Sequence, residues 1–130
     1  YSSRPGAVIS CYSSISWTDF PEDPFLTEVL GTASSFPDKL FFTAAKNLTP
    51  DTPPIFMRAS RRDAVVDPRH TLNLAIHLLE MKLPFELHIY DDGAHGIGLC
   101  DETNILKEYS SPHLNSWVQL CSEWLDSKFV

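Results

Sequence analysis

The apolar positions of this chain fall into short blocks of differing period. Ala7-Val8-Ile9-Ser10-Cys11-Tyr12 is a nearly continuous apolar run, preceded by Pro5-Gly6 and followed by serines. A run that is apolar on both faces reads as a central, doubly covered strand. Pro54-Ile55-Phe56-Met57-Arg58-Ala59 reads as a second strand, with Pro53 and Pro54 tolerated at its start. Phe85-Glu86-Leu87-His88-Ile89-Tyr90 alternates with period 2 and forms a third. Between the second and third strands, Leu72, Ala75, Ile76 and Leu79 recur at helical spacing. Together with the cap-then-proline pair Asp67-Pro68, this predicts a helix over 68–82, ended by the bias of Pro84 against helix at Leu83. Ser111-Pro112 repeats the device ahead of a stripe of Leu114, Trp117, Val118, Cys121 and Leu125, and places His113 in the first turn of a last helix.

From Ser13 to Pro54 the composition turns to Ser, Thr, Pro and Asp around two helical patches. One covers 24–30 and is closed by Gly31; the other covers 36–46, with Ser35 as N-cap and Asp38 three residues on. Trp17 within this connection either lines a pocket or anchors the insertion. The element order is strand, helical insertion, strand, helix, strand, helix, which implies an α/β fold with three parallel strands, flanking helices and right-handed crossovers. Three parallel strands need cover on both faces, which two helices and one insertion hardly supply.

A length of 130 residues, 43% hydrophobic and 21% charged, suits one domain or one piece of a larger one. A net charge of −7 argues against a nucleic-acid partner. No apolar stretch approaches the roughly 20 residues of a membrane span, and no signal segment opens the chain, so a soluble protein is expected and a cytoplasmic location is the default. Cys11, Cys100 and Cys121 lack zinc or disulfide spacing and read as buried thiols. Neither a cofactor nor a metal is expected.

The chemistry sits in the loops leaving the carboxyl ends of the second and third strands, where ligands of parallel sheets bind. One loop carries Asp63, the other His95, on strands expected to be neighbours. A carboxylate beside an imidazole is two-thirds of a Ser-His-Asp triad, and acid before His is the order of α/β hydrolases. The nucleophile is missing: no G-x-S-x-G occurs. Alone, Asp63 reads as a turn-capping carboxylate and His95 as a surface-loop histidine; their pairing favours the catalytic reading. Asp67 reads as an N-cap. His88, Asp91, Asp92 and His95 invite a metal reading that lacks a helix to align them. His70 and His77 are read as a solvated helix face.

Thr52-Pro53-Pro54-Ile55-Phe56 leading to Asp63-Ala64-Val65-Val66, and Pro84 through Tyr90 leading to Gly93-Ala94-His95-Gly96, resemble the C-terminal half of α/β-hydrolase esterases of the acetyl-esterase and xylan-esterase-like type. The resemblance covers nearly the whole chain, from the strand at Ala7 to Trp124. It implies a partial α/β-hydrolase fold, with residues 1–130 as the C-terminal portion of the domain and a helical insertion at about 13–52. It further implies Asp63 as triad acid and His95 as base, with the serine elbow and oxyanion loop before Tyr1. The expected function is serine carboxylic-ester hydrolysis of short acyl esters, such as acetylated sugars, once an upstream half of the same domain completes the site; the chain alone is expected to be inactive. A prolyl-oligopeptidase-type peptidase is the alternative within the fold. A noncatalytic binding module or inactive remnant is the alternative outside it.

Overall fold

The computed structural model describes residues 3–104 and 106–129. Strands β1 (Val8–Cys11), β2 (Ile55–Ser60) and β3 (Phe85–Tyr90) form one parallel sheet in the order β1-β2-β3. Helices α1 (Pro24–Leu30) and α2 (Phe36–Phe42) lie in the β1–β2 connection, α3 (Arg69–Glu80) joins β2 to β3, and α4 (Pro112–Phe129) follows β3. Among the described residues no helix is long and apolar enough to cross a membrane.

β2 is the doubly covered strand, and all six of its residues are buried. Its alternation sends Ile55 and Met57 to a core built with Leu74, Ala75 and Leu78 of α3, while Phe56 packs on Cys121 and Trp124 of α4. One helix therefore covers each face. Each fully buried apolar side chain here contributes about 1.5–3 kcal/mol. β1 forms an edge of the described sheet, with Ile9 47% exposed; the central place that its apolar run suggests is one in the larger sheet that a partial α/β-hydrolase fold implies. A continuous apolar run reports covered faces but carries no information on which neighbour pairs with which edge.

Local cap chemistry fixes the helix starts. Ser35 and Asp38 form a reciprocal capping box on α2, the Ser111 hydroxyl accepts from the Leu114 amide, and Asp67 Oδ1 accepts from the Arg69 amide at 2.9 Å. α2 ends at Phe42 rather than Lys46, because Thr43 turns extended and Asn47 Nδ2 donates to the carbonyls of Leu40, Phe41 and Thr43; a single 3-10 turn, Ala44–Asn47, follows. On α3 the buried face is His70, Thr71, Leu74, Ala75 and Leu78, whereas Leu72, Ile76 and Leu79 of the expected stripe point outward at 41%, 54% and 65% exposure. Two apolar stripes overlap on this helix at the same spacing. The inward one is disguised by the polar residues His70 and Thr71.

Candidate active site

β2 and β3 end in register at Ser60 and Tyr90, and the Arg61 amide continues the ladder to the Tyr90 carbonyl. The two following loops therefore leave the sheet side by side. Exposed pairs Arg61–Asp91 and Arg62–Asp92 span them, each contributing little in solvent. Behind these, Asp63 is drawn inward, its side chain only 2% exposed. Its Oδ1 accepts from the amides of Val65 and Val66, both at 2.9 Å, and its Oδ2 meets His95 Nδ1 at 2.9 Å. Turn-capping and imidazole-pairing thus coexist, one on each oxygen. With a carboxylate on Nδ1, the imidazole proton rests there and Nε2 presents a lone pair.

His95 is carried on a tight glycine-bearing loop. Gly93 has φ 119°, and a Cβ there would sit 2.6 Å from Ser60 Oγ and 2.8 Å from Ile97 Cδ1. Only glycine lets the chain pass so close to the end of β2. The His95 ring, 27% exposed at its side chain, forms one wall of a recess of about 160 Å³ completed by Tyr12, Ser14, Phe25 and Val66. Tyr12 meets it edge-on at 4.9 Å and is held at φ 43° just past β1, its amide bonded to the Arg58 carbonyl at 2.9 Å.

Arg58 was hidden inside an apolar strand pattern. It is fully buried in β2, its guanidinium 4.8 Å from the ring centroids of both Tyr12 and Trp117. Nη2 donates to the Gly98 carbonyl at 2.9 Å and Nη1 contacts Cys100 Sγ at 3.9 Å, while Nε is buried with no partner among the described residues. The cation thereby ties the loop that follows His95 to β2. Burial pushes the Cys100 and Cys121 thiols up, so both stay protonated, and Cys11 is half-buried.

His70, expected on a solvated face, is 1% exposed and its Nε2 lies 2.7 Å from Asp23 Oδ2, itself on a side chain 3% exposed. The burial arises because the β1–β2 connection folds over the start of α3, which no helical period reveals. A cavity of about 380 Å³ opens beside the pair between the connection and α3, bordered by Phe20, Glu22 and Arg69. Trp17 is buried, packs at a tilt on Phe42 and donates to Ser14 Oγ, so it anchors the insertion and lies outside the recess beside His95. His88 turns to Glu86 at 2.8 Å and Asp91 to Arg61, away from His95; among the described residues no three His, Cys, Asp or Glu side chains converge as a metal site needs. His77 is half-buried and faces the Asn73 carbonyl, and His113 meets Tyr90 edge-on at 5.4 Å.

No family model matches the chain. Over 101 residues it is 27% identical to endo-1,4-β-xylanase B of Butyrivibrio fibrisolvens, covering 78% of this chain and 16% of that protein. Among solved structures, an acetyl ester-xyloside bifunctional hydrolase from Caldicellulosiruptor lactoaceticus superposes with a TM-score of 0.80 at 30% identity, covering 95% of this chain and 43% of that one. A sugar hydrolase from Lactococcus lactis gives 0.81 at 28% identity, with 96% and 49% coverage. A carboxylesterase from Lactobacillus plantarum gives 0.81 at 23%, a likeness of fold alone. The chain spans less than half of each of these structures. Its three parallel strands and flanking helices are part of an α/β-hydrolase fold, and its neighbours are hydrolases, esterases among them.

Proposed function

We propose that this partial α/β-hydrolase fold supplies the acid and base of a serine carboxylic-ester hydrolase acting on short acyl esters, acetylated sugars among them. Residues 1–130 are the C-terminal portion of the domain in this reading, and the nucleophilic serine and oxyanion hole come from its other half. The observation that carries the proposal is the Asp63 Oδ2–His95 Nδ1 contact of 2.9 Å, made at the carboxyl ends of adjacent parallel strands beside a recess. Nε2 of His95 takes the serine proton as the hydroxyl attacks the ester carbonyl and returns it to the departing alcohol; it then takes a proton from water, which attacks the acyl-serine, and returns it to the serine oxygen as the acid leaves. Asp63 holds the Nδ1–H tautomer and stabilises the imidazolium. Backbone amides of the completing half donate hydrogen bonds that stabilise the oxyanion.

The names of the neighbours, an acetyl ester-xyloside hydrolase and a sugar hydrolase, support acylated sugars as the substrate class. The test is to express the complete protein and assay acetylated xylo-oligosaccharides, p-nitrophenyl acetate and proline-containing peptides, before and after a serine-directed phosphonate. Ester turnover abolished by the phosphonate and by His95→Ala supports the reading. Peptide cleavage instead assigns the site to a peptidase, and no turnover at all leaves a noncatalytic module.

A further inference from the structure

The β1–β2 connection meets the start of α3 around the buried Asp23 carboxylate and the His70 ring, with Ser16 Oγ also donating to the His70 carbonyl at 3.4 Å. Asp23 Oδ1 accepts from the Phe25 amide at 2.8 Å and caps α1; Oδ2 accepts from Ser14 Oγ at 2.6 Å and from His70 Nε2 at 2.7 Å. On the opposite edge of the imidazole, the amides of Ser16 and Ile15 point at Nδ1 from 3.0 and 3.3 Å. Two N–H donors on Nδ1 fix the tautomer: His70 is neutral, with its proton on Nε2 and directed at Asp23. Ser14 and Phe25, both bonded to Asp23, also line the recess beside His95.

We propose that Asp23 and His70 are positioning residues that set the shape of the recess beside His95, hence the size of the group accepted there, and that they hold it only while His70 is neutral. The part concerning the accepted group rests on the esterase reading; the fastening itself does not. A proton added at Nδ1 sets three N–H groups against one another, so the Ile15 and Ser16 amides must leave, carrying Ser14 with them. The charged groups facing the ring are Asp23 from the connection and Asp67 and Arg69 from the start of α3. Burial is the dominant influence and, with Arg69, depresses the His70 pKa against the pull of the two carboxylates. Neutral His70 is therefore the resting state at neutral pH, and acid opens the fastening.

Hydrogen exchange by mass spectrometry on the complete protein, at about pH 5 and about pH 8 with intrinsic rates corrected, tests this. Peptides covering 13–31 should lose protection by about tenfold at the lower pH while β2 and β3 peptides keep theirs. His70→Asn keeps an acceptor for the Ser16 amide and carries no titratable proton, so its protection of 13–31 should not differ between the two pH values; His70→Ala should be open at both. Equal protection of 13–31 across pH in the wild type, or full protection in His70→Ala, overturns the proposal. Should His70→Ala unfold the sheet, visible in the β2 and β3 peptides, the wild-type pH pair and His70→Asn decide. With p-nitrophenyl esters of increasing acyl length, His70→Ala should shift the preference between acetyl and longer esters by about tenfold, mainly through KM, and His70→Asn should restore it. Unchanged preference overturns the recess-shaping part. A wild type that hydrolyses no ester overturns the esterase reading, and the exchange arm then still decides the fastening.

Discussion

Asp63 divides its two oxygens between backbone and imidazole: Oδ1 holds the Val65 and Val66 amides, and Oδ2 holds His95 Nδ1. Asp63→Asn can keep the first set of bonds, with its carbonyl oxygen on the amides. Its NH₂ then faces Nδ1 and forces the imidazole proton onto Nε2, where it blocks acceptance of the serine proton. In the complete protein we expect kcat to fall by about 10⁴-fold with thermal stability nearly unchanged. His95→Ala should lower kcat by a similar order with modest change in KM. Steady-state kinetics beside a thermal melt checks both.

Gly93→Ala should be among the most damaging single-methyl additions. The new Cβ meets Ser60 Oγ at 2.6 Å and Ile97 Cδ1 at 2.8 Å, and φ 119° is unfavourable to any side chain. We expect destabilisation of about 1–3 kcal/mol and a displaced His95 loop, read by denaturant titration and by loss of activity in the folded fraction.

Arg58→Met removes a buried cation whose Nε has no partner among the described residues while preserving much of the packed volume. Trading a poorly compensated buried charge for an apolar chain is often neutral or stabilising. The melting temperature should hold or rise, whereas amides around Gly98 should exchange faster because their carbonyl anchor is gone. A large fall in stability would show that the guanidinium is better satisfied than its contacts indicate.

What could be read along the chain follows the range of the forces involved. Caps announce themselves within three residues, so Asp67-Pro68, Ser111-Pro112 and Ser35 with Asp38 located the helix starts. Short apolar runs located β1 and β2, alternation located β3, and the order of elements brought Asp63 and His95 to one edge. Long-range contacts left no such trace. Ile9 is in an edge strand because of pairing order, Leu72, Ile76 and Leu79 face outward because α3 has two equivalent stripes, and His70 is buried because a distant loop covers it. Arg58, a charge within an apolar run, was the available hint that β2 carries something unusual.

Asp67 offers a contrast to Asp63 at short range. Its carboxylate caps the Arg69 amide and pairs with the Arg69 guanidinium, which holds its pKa below the ordinary aspartate value. Asp67→Asn should be nearly silent in activity, while Asp67→Ala should cost about 1 kcal/mol in denaturant titration. Because the folded pKa is depressed, the contribution of the carboxylate is present above the ordinary aspartate range and disappears as pH falls through the folded value. The difference between wild type and Asp67→Asn should therefore narrow in acid. A crippling Asp67→Asn beside a silent Asp63→Asn would reverse the assignment of the acid.

The 130-residue chain in isolation should associate. β1 forms an edge with Ile9 exposed, and α3 turns Leu72, Ile76 and Leu79 outward. Unpaired strand edges and contiguous apolar faces are templates for aggregation. Size-exclusion chromatography with a thermal melt should show oligomers or a broad transition, relieved when the completing half is supplied in cis or in trans. A monomer with one sharp transition would favour a self-sufficient binding module.

Asp63 and His95, the acid and base of the proposed reading, both hang from the β2–α3–β3 unit, while most of the recess beside them is built by the connection before β2. The two are separate stretches of chain. In the proposed reading, changes at Ser14 or Phe25 alter what fits beside His95 while the Asp63–His95 contact, made by other segments, stays in place. The Asp23–His70 contact is where the two stretches meet, so a redesigned connection has to remake that junction before it can reshape the recess.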